Sequence, residues 1–438
     1  MPDLKGFRWA PTNAPIATFR TDDIWFFDAD TGWAVNSDGD ILSTDSGGQR
    51  WTRAFHAEGV YLRAIAFTDR ENGFVGTVSS SARLFRTFDG GRTWERADNL
   101  PDGTPPAICG LSVPDPWTIF GSGTNFPNRQ PGVIRSTDRG QTWRAMDLSA
   151  QATLLVDIHF KNSREGWVVG GKADVPSPSR RFVKPIVLAT MDGGETWVNR
   201  LDGITDSWPQ GEWGWKISFV NERVGYVSLE SFERGAILKT VDGGFTWNRL
   251  PVADPQGNAN LEGIGFVTES VGWVGGWGDA EHQQGFSSVT MDGGETWQNA
   301  NEIGRFVNRF RFIREPELVG YASGDTVYKF SVRPLRRPPW IPRSAVAETR
   351  TLALRQSGQS SGDLQLIYRL PRNAAWVRVD VWDRFGAHLT TVDQQNVPSG
   401  EATVALRVAY IDPDSIRGRY LLVRVDADGQ AESRGFLL

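Results

Sequence analysis

Six segments of this chain repeat one pattern, Ser/Thr-x-Asp-Gly-Gly-x-Thr-Trp or a near variant of it: Ser43 to Trp51, Thr87 to Trp94, Ser136 to Trp143, Thr190 to Trp197, Thr240 to Trp247 and Thr290 to Trp297. Their aspartates, Asp45, Asp89, Asp138, Asp192, Asp242 and Asp292, follow one another at 44, 49, 54, 50 and 50 residues. A unit of that length cannot bury its apolar face alone, so the repeats must stack on one another. The box is conformational chemistry. An aspartate accepts hydrogen bonds from backbone N–H groups a few residues ahead, the glycines permit positive φ, and the tryptophan packs on the unit it closes. One carboxylate set in six equivalent turns is a staple, and all six are read as structural. In the first box Asp45 and Trp51 stand one residue further apart than in the others, which predicts a bulge or a looser turn.

Upstream of each box lies a second signal: Gly32-Trp33, Gly73-Phe74, Gly166-Trp167, Gly225-Tyr226 and Gly272-Trp273, with Pro116-Trp117 standing in for it in the third unit. Gly320-Tyr321 repeats it without a box, which makes seven units. Phe26, Phe67, Phe160, Phe219 and Phe266 each end an apolar run six residues before the glycine. Each unit then reads as inner strand, turn, second strand, third strand, boxed turn and outer strand, which is one four-stranded blade. The seventh unit lacks an outer strand. Gly6 to Ala10, with Trp9 in the place of a box tryptophan, is predicted to supply it. The expected fold is all-β: a seven-bladed β-propeller closed by the N-terminal strand, over residues 1–333.

These boxes resemble the Asp-box (BNR) repeats of sialidases, sortilin-type receptors and, most of all, the photosystem II assembly-factor propellers. The resemblance covers roughly residues 5 to 333. It implies a non-enzymatic chaperone that binds membrane-protein intermediates, and it assigns no binding residue. The motif marks a fold that serves several unrelated activities.

Around Ser331 the repeat stops. Residues 334–350 read as a stiff, basic linker rich in proline and arginine, with Arg336, Arg337, Arg343 and Arg350. Residues 351–438 carry alternating runs at 364–370, 376–382, 402–408 and 420–425, the pattern of a small β-sandwich. The run from Val377 to Gly386, with Gly418-Arg419-Tyr420 later, is similar to the Ig-like domains of flagellar hook-cap and secretion-associated proteins.

Composition narrows the function. A formal net charge of -5 and a pI near 5.6 argue against a nucleic-acid binder. The single cysteine, Cys109, excludes an intrachain disulfide and reads as a small buried apolar residue. No stretch approaches the roughly 20 apolar residues of a membrane span. The chain reads as cytoplasmic if it is complete, and as periplasmic or extracellular if a signal has been removed. His56, His159, His282 and His388 have no metal-pair spacing. Asp28-Ala29-Asp30 and Asp38-Gly39-Asp40 lack the further oxygen ligands of a calcium loop and read as turns. No metal or cofactor is expected. A sialidase would need three arginines, a tyrosine nucleophile and its acid partner, and no Phe-Arg-Ile-Pro-like run stands near the N-terminus.

Binding has better material. Trp208, Trp213 and Trp215 crowd one loop before the fifth inner strand, either an aromatic platform or a loop folded onto the core. Aligning the inner strands on their phenylalanines puts Arg63, Asp157, His159, Lys216, Glu262, Arg309 and Arg311 into or over the central channel, as a mostly basic rim. The expected function is a non-catalytic platform for another protein. A carbohydrate-binding or glycoside-hydrolysing propeller is the first alternative, and a structural subunit of a larger extracellular or particle-associated assembly the second.

Overall fold

The computed structural model describes residues 4–124, 130–173, 182–231, 233–253, 260–277, 287–300, 302–332, 352–356, 363–383, 388–407, 420–428 and 430–437. The stretch read as a linker, 334–350, lies outside the described residues. Chain contacts divide the molecule into two compact units, Met1–Leu335 and Arg336–Leu438.

Seven four-stranded antiparallel sheets make up the first unit. Blades 1 to 6 are sequential meanders whose inner strands are Thr21–Phe26, Leu62–Phe67, Gly110–Ser112, Leu154–Phe160, Glu212–Phe219 and Leu261–Phe266. Blade 7 takes Phe310–Ile313, Val319–Ser323 and Val327–Ser331 from the end of the unit and its outer strand, Arg8–Pro11, from the beginning. Trp9 pairs with Phe330 across that junction. Its ring meets Phe312 edge-on at 6.1 Å. Five of the six box tryptophans make the same contact with the inner-strand phenylalanine of their own blade, as Trp94 does with Phe67 at 5.9 Å and Trp197 with Phe160 at 6.2 Å.

The glycine-aromatic pair explains how blades adhere. Gly32 lies opposite Phe26 in the sheet, and a Cβ there would come within 2.3 Å of the phenyl ring. The aromatic that follows the glycine then stacks on the next blade's phenylalanine. Tyr226 lies 3.6 Å from Phe266, Tyr321 3.5 Å from Phe26, and Trp33 4.4 Å from Phe67, measured between ring centres. In blade 3 this role belongs to Phe120, stacked on Phe160 at 3.5 Å, and not to Trp117, which is 57% exposed. Pro116-Trp117 therefore belongs to the turn, and Ile119-Phe120 begins the strand.

Five boxes share one hydrogen-bond set. In the second, Asp89 accepts from the Thr93 N–H at 2.9 Å and its hydroxyl at 2.6 Å, while Thr87 Oγ1 accepts from the Gly91 N–H. Asp138, Asp192, Asp242 and Asp292 repeat it. The first box differs from expectation. There the Arg50 N–H donates to Ser46 Oγ at 3.0 Å and the Gly48 N–H to Thr44 Oγ1 at 3.1 Å. Ser46 thus occupies the aspartate's place, and Asp45 is a solvent-facing neighbour 3.7 Å from Arg50. The extra residue in that box comes from this substitution. A register shift does occur in blade 1, but between Ile41 and Leu42 of the third strand.

The hydrogen bonds from the box threonine hydroxyl and N–H hold the Asp89, Asp192 and Asp292 carboxyls down at about 2. A depressed carboxylate stabilises the fold above its unfolded value near pH 4, and that stability is lost as pH falls towards 2. Asp192→Ala is expected to cost about 1–2 kcal/mol at neutral pH. The gap between variant and wild type should narrow in melts between about pH 5 and about pH 2. A constant gap would separate the staple from the carboxylate's charge.

The second unit is a sandwich. Leu352–Gln356, Asp363–Leu370 and Gly400–Arg407 form one sheet, and His388–Val397, Ala374–Asp383, Tyr420–Ala427 and Gln430–Leu437 the other. Alternation sets its core: Leu364, Leu366, Tyr368 and Leu370 face Val377, Val379, Val381, Val423 and Val425 within one buried cluster.

Candidate functional site at the propeller axis

The inner strands surround the axis, and five of them break register at the same level. The shifts lie between Thr21 and Asp23, Leu62 and Ala64, Leu155 and Asp157, Gly214 and Ile217, and Leu261 and Gly263. A bulge frees the skipped residue from the ladder. Here those residues include Asp22, Arg63, Lys216 and Glu262, all buried and all charged types.

They pair across the axis. Arg309 of blade 7 donates to Asp157 of blade 4 through two nitrogens, at 3.0 and 2.8 Å, and to Asp23 of blade 1 at 2.9 Å. Arg20 bonds Glu262, lies 3.0 Å from Asp22 and donates to the Tyr61 hydroxyl at 2.9 Å; Arg63 also bonds Asp22. Asn308 donates to the Asp22 backbone at 2.8 Å and accepts from the Trp215 indole at 2.8 Å. The Arg63 guanidinium lies 4.8 Å from the Trp215 ring centre. Burial opposes ionisation of Asp157, but the Arg309 and Lys216 charges prevail and hold its carboxyl at about 2. Burial and the Arg309 charge push the Lys216 ammonium down to about 8, although Asp157 lies 4.0 Å away.

The expected basic rim is therefore largely a buried plug. Arg63 and Lys216 are each 1% exposed and Arg309 is 9% exposed. Cations and anions alternate about the axis and neutralise one another, which is why the arginines face inward. Trp213 and Trp215 are fully buried, so they are core and not a platform. Trp208 is half-buried against the cluster of Trp167, Leu201 and Trp247. It precedes the start of its inner strand, whereas His159 and Arg311 sit at the finishing ends of theirs. The loop and the mouth are not brought together.

What remains accessible is that mouth, on the face carrying the boxes. Trp25, His159 and Arg311 each precede the last aromatic of their inner strand, and each is half-buried. Arg311 lies 4.8 Å from the Trp25 ring centre, and its Nε donates to the Ile24 carbonyl at 3.3 Å. Burial and the nearby Arg311 and Lys161 charges, against Asp157, push His159 down to about 4, so it is neutral at pH 7. Its ring stacks on Phe219 at 5.1 Å. Small residues, Ala66, Ser112, Ser218 and Gly265, occupy the equivalent places on four other blades.

Arg20, Asp22, Asp23, Tyr61 and Asn308 were not legible as site residues. Arg20 lies before the first inner strand and Asn308 before the seventh, outside the phenylalanine alignment. The available signal was an excess of both charge signs three or four residues before that phenylalanine. Among the described residues no group of histidines, cysteines and acids is placed to hold a metal ion, and no helix is long and apolar enough to cross a membrane. Asp28 accepts from the Asp30 and Thr31 N–H groups, which is turn chemistry.

The model of the photosynthesis system II assembly factor YCF48 family matches residues 1–108 and 135–254, just over half of the chain. The chain belongs to the YCF48 family. The photosystem II assembly lipoprotein Ycf48 of Synechococcus sp. (strain CC9902) is 24% identical over 277 residues, 53% of this chain and 73% of that protein. Among solved structures, YCF48 from Cyanidioschyzon merolae superposes with a TM-score of 0.54 at 16% identity, covering 74% of this chain and 98% of that one. A YCF48 bound to D1 peptide gives 0.53 at 16% identity, over 76% and 98% of the two chains. The GH74 enzyme of Niastella koreensis gives 0.54 at 12% identity, over 97% and 74%. At these identities the structures share the fold, and membership of the YCF48 family rests on the sequence match. It makes the chain a propeller of the protein-binding, assembly-factor kind.

Proposed function

We propose that this chain is a non-catalytic propeller that holds a segment of a partner protein at the boxed mouth, during assembly of a larger complex. Membership of the YCF48 family carries the reading, together with a solved relative that has a peptide bound. The mouth supports it chemically. Arg311, half-buried on the Trp25 face, presents a desolvated guanidinium, the kind of anchor that dominates protein interfaces. Its charge suits a carboxylate, whether an acidic side chain or a chain terminus. Against catalysis stands the state of the axial acids: Asp22, Asp23, Asp157 and Glu262 are buried and engaged by arginine. None is poised over an open cleft as glycoside hydrolysis requires. We further propose the boundaries 1–333, 334–350 and 351–438, the last an accessory domain. A photo-crosslinking residue at Ser218, a small mouth position, is expected to capture a protein partner in the native host. The same group at Trp208 should not. Equal capture at both, or capture at Trp208 alone, would move the binding surface off the mouth.

A further inference from the structure

At several seams on the boxed face a polar group of the earlier blade reaches over to the later one. At two of them a lysine bonds carbonyls of both the first box glycine and the inner hairpin of the later blade. Between blades 7 and 1, Lys329 Nζ donates to Ala29 and Gly47 carbonyls at 3.4 and 3.2 Å, with Nζ 5.3 Å from the Tyr321 ring centre. Between blades 4 and 5, Lys161 Nζ donates to Glu222 and Gly243 carbonyls at 2.7 and 3.4 Å, 4.8 Å from the Trp167 ring centre. Between blades 3 and 4, Arg135 Nη1 donates to the Gly193 carbonyl at 3.2 Å. Between blades 5 and 6 the Tyr226 hydroxyl takes the two carbonyls, of Glu269 and Gly293, at 3.0 and 3.4 Å, and Lys239 reaches over to the Glu295 carboxylate at 3.5 Å. In blade 3 Arg139 replaces the first glycine, and its guanidinium covers Trp117 at 4.0 Å.

The seam between blades 1 and 2 has the cradle without the cation. Ser43 holds the register position of Arg135, Lys239 and Lys329, opposite the second-strand aromatic, and is too short to cross. The Arg70 and Gly90 carbonyls are the counterparts of Glu222 and Gly243. A cleft of about 490 Å³ opens there, lined by Thr31, Trp33, Arg70, Glu71, Phe88 and Arg92 among others. The Trp33 indole N–H is buried in it with no hydrogen bond among the described residues, whereas its counterpart in Trp167 donates to the Gly244 carbonyl at 3.2 Å. The Arg70 side chain is turned away, 2.7 Å from Asp28 and 5.1 Å from the Phe27 ring centre.

We propose that this cleft receives a lysine side chain from a partner protein. The ammonium takes the place that Lys329 and Lys161 hold in their seams, on the Arg70 and Gly90 carbonyls, over the Trp33 ring and beside the Glu71 carboxylate. The site is independent of the mouth around Arg311, and its test does not use the mouth's partner.

The test is a titration of the full chain with N-acetyl-lysine amide, followed through the Trp33 indole N–H signal, assigned with Trp33→Phe. A saturable shift with a dissociation constant of about 1–10 mM is expected for one such contact. N-acetyl-norleucine amide, which lacks the charge, should not produce it. Ser43→Lys fills the cradle from within and should abolish the shift. Glu71→Lys, at an exposed position, should weaken binding by about 10-fold. No shift, an equal shift with the norleucine amide, or wild-type binding by both variants would overturn the proposal.

Discussion

Replacing Arg309 by methionine is expected to cost about 3–5 kcal/mol of stability, because it leaves two buried carboxylates without their cation. Arg309 alone bridges Asp23 of blade 1 and Asp157 of blade 4 from blade 7, so its removal unties three blades at once. Asp157 would keep the Ile217 N–H at 3.1 Å and, as its remaining cation, Lys216 at 4.0 Å. Urea unfolding of variant and wild type measures the cost. A loss below about 1 kcal/mol would mean that water reaches the axis and the plug is not dry.

Removing residues 1–12 is the second large effect. The N-terminal strand pairs with Val327–Ser331, and its Trp9 packs against Trp273, Phe310, Phe312 and Phe330 in one cluster. Truncation of such a buried tryptophan alone costs about 3–5 kcal/mol. It also bares a sheet edge, which invites association between chains. The expected result is a melting temperature lower by roughly 5–15 °C, with aggregation on heating. Trp9→Ala should reproduce most of the fall and leave the edge covered, so it should aggregate less. An unchanged melt in the truncated chain would mean that the ring is held without this closure.

The repeat and the ring were legible in the amino-acid sequence because both rest on local chemistry. A box brings its own acceptor, glycines and tryptophan within eight residues, and the missing seventh box pointed to Trp9. The local signals misled where a neighbour mimicked them. Asp45 stands one residue before the position that Ser46 fills, and Trp117 lies beside the strand that Phe120 leads. At the axis, sequence alignment points to residues but not to their environment. Arg63, Lys216 and Arg309 do lie inside the ring. Whether such residues form a wet rim or a dry plug depends on how far opposite blades approach, and a one-dimensional alignment does not carry that distance. Trp213 and Trp215 show the same limit, since a loop rich in tryptophan looks alike whether it faces water or fills the hub.

Retention of a protein partner at the accessible mouth is the proposal to test. Its most direct measurement is co-purification from the native host with wild type and Arg311→Glu, after both are shown to melt alike. Wild type is expected to retain a discrete protein that Arg311→Glu loses, with the loss smaller at high salt, where a partly exposed charge is screened. Equal retention of the same protein by both chains would contradict it.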